Sequence, residues 1–198
     1  PTEFSDHETA VHSVRAGLGM LKAIDAFNES QKDRGLTPFL TGIGINFGRA
    51  TVGNIGSEQK MDYTVIGDPV NLASRVEGQT KIYQESLIIT QSVQYRLNQK
   101  FPTRLLDKIA VKGKVEGVRI YTVRDSVDPN TEKAWKLHHQ AISLFYNRHF
   151  KQAIQAFREV DSMLGDDFIA NMFIERARNY LKAPPPEGWE GVEIKKEK

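Results

Sequence analysis

Residues 61–75 read Met61-Asp-Tyr-Thr-Val-Ile-Gly-Asp-Pro-Val-Asn-Leu-Ala-Ser-Arg75. Tyr63, Val65 and Ile66 favour a strand, Gly67 interrupts it, Asp68 is suited to cap a helix, and Pro69 suits a helix's first position. The stretch predicts a buried strand that turns sharply into a helix. At about 100° per residue, Leu72, Ala73 and Val76 fall on one side of that helix. Asn71 and Arg75 project together from the other, roughly 6 Å apart along the axis. An amide and a guanidinium then share a polar face near a helix N-terminus, where the helix dipole favours an anion. Guanidinium is a planar clamp for phosphate oxygens, and an amide can hydrogen-bond a sugar oxygen. An ordinary solvated helix face with one arginine has the same local pattern, so the neighbouring sequence has to separate the two.

Upstream lies Gly42-Ile-Gly-Ile-Asn-Phe-Gly-Arg-Ala-Thr-Val-Gly-Asn-Ile-Gly56; downstream lie Ser86-Leu-Ile-Ile-Thr90, Val111-Lys-Gly-Lys114 and Val118-Arg-Ile-Tyr-Thr-Val123. Together with residues 62–75 these motifs closely resemble the class III nucleotide cyclases, the adenylate and guanylate cyclase family, over roughly residues 1–126. The glycines do not form a dinucleotide fingerprint. The last interval of Gly42-x-Gly44-x-x-x-Gly48 is wrong, and the run leads into a strand where a helix is required, so close backbone packing is the better explanation.

The resemblance implies an α+β fold, a ferredoxin-like or palm-type cyclase domain with a helix-packed sheet. It also implies a reaction in which the ribose 3′-hydroxyl of a nucleoside triphosphate attacks its own α-phosphorus and expels pyrophosphate. By matched position, Arg75 would steady the transition state and Asn71 would orient the ribose. Lys112 would reach the terminal phosphates, and Arg49 would contact phosphates from the opposite protomer of a head-to-tail dimer. Lys112 and Arg49 also suit plain solvated charges. Thr64, seven residues before Asn71, matches the position that reads the purine edge and favours ATP; without the resemblance it is simply a strand threonine. The family's two metal-binding aspartates, which hold two Mg²⁺ or Mn²⁺ ions, have no counterpart in this sequence, and Asp6 and Glu8 belong to a helix cap. The expectation is therefore an adenylate cyclase fragment that opens in mid-domain and is inactive alone, whose activity a complementing N-terminal piece could restore, and whose active relatives pair head-to-tail with a second protomer.

Composition bounds the alternatives. With 198 residues, 39% hydrophobic and 26% charged, the chain can bury a core in one or two domains. A net charge of +2 gives no reason to expect nucleic acid as a partner, and zero cysteines exclude disulfides and thiolate metal sites. No apolar run reaches the roughly 18 residues of a membrane span. A cytoplasmic location is expected, with any anchored parent holding the cyclase on the cytoplasmic side.

The element order predicted is α-β-β-β-α-β-α-β-β. A first helix opens on a capping box at Ser5 and Glu8, carries Val11, Val14, Leu18, Leu21 and Phe27 on its apolar face, and stops near Gly35. Strands are predicted over 39–47 and 50–55, then at 86–90, with a helix over 91–98 and a hairpin over 105–123 turning at residues 114–117. Residues 127–132 suit a linker. Beyond it, 133–182 predicts three helices, the first two resembling a single tetratricopeptide repeat, with a turn at residues 147–149 and a proline-rich, basic tail over 183–198. Trp189 either docks on that bundle or hangs free.

Two other function classes suit parts of the chain. A protein-interaction fragment would bind its partner through the repeat-like helices, and its sign would be an exposed apolar groove across Phe145, Phe150 and Phe173. A histidine-based metallohydrolase is disfavoured. His138 and His139 are adjacent, so they point about 100° apart on a helix, and no His-Glu-x-x-His pattern accompanies them.

Overall fold

The computed structural model describes residues 4–57, 60–110, 117–189, 191 and 192. Two compact units divide it, Pro1–Lys100 and Phe101–Lys198. The order of helices and strands through residue 123 is the one expected from the sequence, apart from a short 3-10 turn over Lys32–Arg34.

In the first unit, α1 (Asp6–Gln31) begins with the expected capping box. Glu8 Oε2 accepts from the Ser5 backbone N–H at 2.9 Å and from its hydroxyl at 2.7 Å, while the Ser5 hydroxyl accepts from the Glu8 N–H. Val11, Val14 and Leu18 are buried, but Phe27 is 55% exposed, because the helix runs past the core after its third turn. The strand expected over 39–47 shrinks to β1 (Ile43–Ile45). Its would-be beginning is tied elsewhere: Phe39 donates its N–H to Asn28 Oδ1 at 2.7 Å and accepts from Asn28 Nδ2 at 2.8 Å.

β2 (Thr51–Ser57) and β3 (Lys60–Ile66) form an antiparallel hairpin that is a two-stranded sheet. β3 was expected to be buried, and it is not: Met61, Tyr63, Val65 and Ile66 are all exposed, Tyr63 by 77%. A two-stranded ribbon has no second layer of its own, so alternation of apolar residues along it does not guarantee a covered face.

α2 (Asp68–Tyr83) follows. Gly67, at φ 138°, is its N-cap and makes no side-chain cap bond, which puts Asp68 inside the first turn and corrects the expectation that Asp68 caps the helix. Only a glycine takes that backbone conformation without strain, and it supplies the sharp turn that the sequence suggested. Leu72, Val76, Thr80 and Tyr83 are buried beneath α2. At Gly44 the helix lies directly on β1: an added Cβ would meet the Ala73 carbonyl oxygen at 2.6 Å and the Glu77 Cα at 2.8 Å. Close packing is thus what this glycine provides. β4 (Leu87–Thr90), wholly buried, pairs in parallel with β1, and α3 (Gln91–Arg96) follows it.

The second unit holds β5 (Thr103–Ile109) and β6 (Val118–Val123), an antiparallel pair, and three helices, α4 (Pro129–Tyr146), α5 (Phe150–Leu164) and α6 (Phe168–Lys182). Most of the turn expected at residues 114–117 lies outside the described residues. Of the linker expected at 127–132, residues 129–132 form the first turn of α4. Asp128 caps it, accepting from the N–H groups of Asn130 and Thr131, and Pro129 occupies the first turn.

Aliphatic and aromatic packing holds the helices, with Phe157 and Phe173 stacked at 5.0 Å between centroids and Ala141, Ala153 and Ala177 fully buried. Charges are buried here too. Arg104, 3% exposed, forks onto Asp167, with Nη1 to Oδ2 at 2.7 Å and Nη2 to Oδ1 at 2.5 Å. Its Nη2 also lies 3.0 Å from His138 Nδ1. A guanidinium only donates, so Nδ1 accepts, the ring proton sits on Nε2, and that proton is given to the Leu105 carbonyl at 2.9 Å. His139 Nε2 accepts the Leu105 N–H at 2.8 Å. Two adjacent histidines of α4 therefore satisfy both backbone groups of one β5 residue. Burial, then the Arg104 and His139 charges, hold the His138 pKa well below the ordinary histidine value, and burial and Arg104 lower that of His139. A second pair joins α6 to β5, Arg176 to Asp107 at 2.5 Å, with the Tyr146 hydroxyl donating to Asp107 at 3.0 Å.

Candidate functional site

The site begins at the Gly67 turn. The Gly67 carbonyl accepts from Val70 N–H at 3.0 Å and Asn71 N–H at 3.2 Å, which starts the helix and fixes its phase. With Leu72 and Val76 buried on one side, Asn71 and Arg75 lie exposed on the other, as the spacing required. Among the described residues no side-chain hydrogen bond or ion pair engages Asn71, Arg75, Arg49 or Thr64. These polar groups are left for solvent or a ligand.

Thr64 sits exposed on β3, in register with Gly53. Arg49, also exposed, precedes β2, and its carbonyl oxygen lies 3.8 Å from where a Cβ on Gly67 would be. The loop bearing Arg49 thus runs beside the turn that launches α2. Lys112 lies outside the described residues.

One positioning residue was missed. Asn46 donates from Nδ2 to the Pro69 carbonyl at 3.0 Å and accepts at Oδ1 from the hydroxyls of Thr90 at 2.8 Å and Ser92 at 3.1 Å. It ties the first turn of α2 to the end of β4. Asn46 is the polar residue ending the β-rich run before Gly48, but that pattern cannot tell which backbone carbonyl it will reach.

Among the described residues the donors do not fit the family's metal pair. Glu8 is held by Ser5 and Asp6 by Arg96 at 3.2 Å, and among the described residues no group of three His, Cys, Asp or Glu side chains converges. His138 and His139 serve Arg104 and Leu105. The exposed apolar groove that would mark a protein-interaction fragment does not run across Phe145, Phe150 and Phe173, since these rings are 1%, 6% and 0% exposed. Trp189 is docked, 5.0 Å from Tyr180 and 5.5 Å from Phe145 between centroids.

Residues 3–125 match the family model described as the adenylate and guanylate cyclase catalytic domain. The chain belongs to this family. It is 41% identical over 119 residues to an adenylate cyclase of Anabaena cylindrica, covering 57% of this chain and 24% of that protein. The terminal-differentiation specific adenylate cyclase of Dictyostelium discoideum is 30% identical over 181 residues, covering 87% of this chain and 8% of its own length. That share of the chain is too large to fit within residues 3–125, so this similarity reaches into the helices α4–α6. Among solved structures, the adenylyl cyclase CyaB from P. aeruginosa superposes with a TM-score of 0.57 at 35% identity, covering 64% of each chain. The guanylyl cyclase Cya2 superposes with a TM-score of 0.51 at 30% identity, covering 65% of this chain and 64% of that one. The mixed α+β architecture with a helix-packed sheet is that of these cyclases. The chain spans only a small part, 8% and 24%, of the two curated relatives named. Among the described residues no helix is long and apolar enough to cross a membrane.

Proposed function

We propose that this cyclase-family chain contributes the transition-state and base-recognition half of an adenylate cyclase site. Its reaction converts ATP to 3′,5′-cyclic AMP and pyrophosphate. The observation that carries the proposal is the exposed, uncommitted Asn71–Arg75 face of α2, in a chain whose residues 3–125 match the cyclase catalytic domain.

In this proposal Arg75 donates to the α-phosphoryl oxygens as negative charge grows there, an interaction strongest in the transition state. Asn71 hydrogen-bonds the ribose and holds the 3′-hydroxyl in line. Thr64 accepts from the adenine amine. Arg49 and Lys112 add positive charge for the triphosphate, Arg49 across a head-to-tail dimer and Lys112 at the terminal phosphates. Divalent ions would supply Lewis-acid activation in such enzymes, but among the described residues no cluster of carboxylates converges to hold them. A cyclase protomer that carries them is the required partner, and the 198-residue polypeptide alone is inactive. A cytoplasmic location, and assignment of α4–α5 as one tetratricopeptide-like pair braced by α6, belong to the same proposal.

The test is complementation. The 198-residue chain incubated with ATP and Mn²⁺ forms no cyclic AMP, and activity appears on adding a cyclase polypeptide that holds the metal carboxylates but carries an inactivating change at its own arginine. Cyclic AMP from the isolated chain would overturn the assigned inactivity. A complemented pair that ignores Arg75→Ala would overturn the assigned role of α2, and one that prefers GTP would overturn the role of Thr64.

A further inference from the structure

Residues 183–189, 191 and 192 follow α6 without regular secondary structure and pack back on the second unit. Three observations describe their seat. Arg148 donates from one Nη2 to the carbonyl oxygens of Pro185 and, at 2.8 Å, Pro186. The Trp189 ring enters an aromatic cluster, 5.0 Å from Tyr180, 5.5 Å from Phe145 and 6.2 Å from Phe150. Gly191 lies flush on the Tyr146 ring, and Val192 sits over Gly117, where an added Cβ would meet its Cγ2 at 2.7 Å.

The chemistry is that of peptide recognition. Three consecutive prolines offer no backbone N–H, so a run of this kind cannot be held by strand pairing; its carbonyls and ring faces are what a receptor can grip. One arginine Nη2 meets both carbonyls and an aromatic pocket takes the anchor side chain, while the stiffness of the proline run lowers the entropy lost on docking. Arg148 itself is held at φ 64°, a left-handed backbone uncommon for a residue with a Cβ. Phe145 bridges the aromatic cluster to the bundle interior, 5.1 Å from Phe173, which stacks on Phe157; Trp189 itself makes no ring contact with Phe157 or Phe173 among the described residues.

We propose that Arg148 and the Phe145, Phe150 and Tyr180 rings form a binding groove for a segment combining prolines with an aromatic anchor. The chain's own tail occupies this groove in cis, and a partner segment of the same chemistry displaces it. Displacement lifts Val192 from Gly117, so the β5–β6 hairpin loses a cover when the groove changes occupant. This deepens the idea of a partner at α4–α6, and it does not depend on the cyclase assignment.

The experiment uses the full chain and a fluorescein-labelled peptide with the sequence of residues 183–192. Trp189→Ala empties the groove. Expected results are a melting temperature close to that of the parent chain and peptide binding in the micromolar range by anisotropy. The parent chain, whose tail competes at high effective concentration, binds at least tenfold more weakly. Adding Arg148→Gly, which relieves the left-handed backbone, leaves melting unchanged or raised and weakens peptide binding about tenfold, the scale of one charge-assisted hydrogen bond. Loss of more than about 10 °C on Trp189→Ala would make the tail a structural cap and overturn the proposal. So would a folded Trp189→Ala variant that fails to bind the peptide, or that binds it equally with and without Arg148.

Discussion

Arg75 and Arg104 are the same side chain put to opposite uses. Arg75 lies in solvent on α2 with no side-chain partner among the described residues, about two turns into the helix and one turn beyond Asn71. Arg104 is 3% exposed and committed to Asp167 and His138. A buried charge costs several kcal/mol in lost hydration and persists only when neighbours compensate it, so its donors are spent on the fold. An exposed charge contributes almost nothing to stability and keeps its donors for a ligand. The first unit therefore keeps the Arg75 donors at its surface, and the second spends the Arg104 donors within.

The comparison breaks most visibly if the two arginines behave alike on truncation. Arg104→Ala strands Asp167 in a largely buried site, and urea denaturation is expected to register a loss of about 3–5 kcal/mol in the second unit. Arg75→Ala should stay within about 0.5 kcal/mol of the parent in the same measurement, yet lower the turnover of a complemented cyclase by about 10² to 10³.

Smaller effects sharpen the contrast. Gly44→Ala forces a methyl group against the backbone of α2, for an expected loss of about 1–3 kcal/mol in the first unit, followed by thermal melting. Acid should act on the second unit. His138 and His139 have lowered pKa values when folded, so below the ordinary histidine value near 6.5 the unfolded chain binds more protons. Stability should then fall as pH drops from about 6.5 towards the folded values, by at most about 1.4 kcal/mol per pH unit for each such proton, and level off above 7. Denaturation at a series of pH values checks this, with His138→Gln expected to flatten the curve. Ser5→Ala, which removes half of the exposed capping box, should cost about 1 kcal/mol and show as fraying of α1 by hydrogen exchange.

Where the physics is local, the sequence was legible. The capping box at Ser5 and Glu8, the break at Gly67 and the turn between α4 and α5 follow from residue types within a few positions. The shared face of Asn71 and Arg75 follows from helical period alone. Where neighbours decide, it was not. Phe27 keeps the apolar period of α1 but finds no core to enter, and β3 has a strand's composition without a layer over it. Asp128-Pro129 suits a linker as well as a helix start, because the same residues favour both, and only the helix behind them separates the two.

The sequence by itself determined the family, the order of the elements and the shared exposed face of Asn71 and Arg75, because motif spacing and helical phase are carried by the chain's own covalent order. Tertiary structure alone decided the rest. It placed Asn46 as the tie between α2 and β4, enclosed Arg104 with Asp167 and His138, set two histidines on one β5 residue, and seated Trp189 among three rings. Each of these joins residues more than twenty positions apart or depends on which groups lose water, and no local pattern records that.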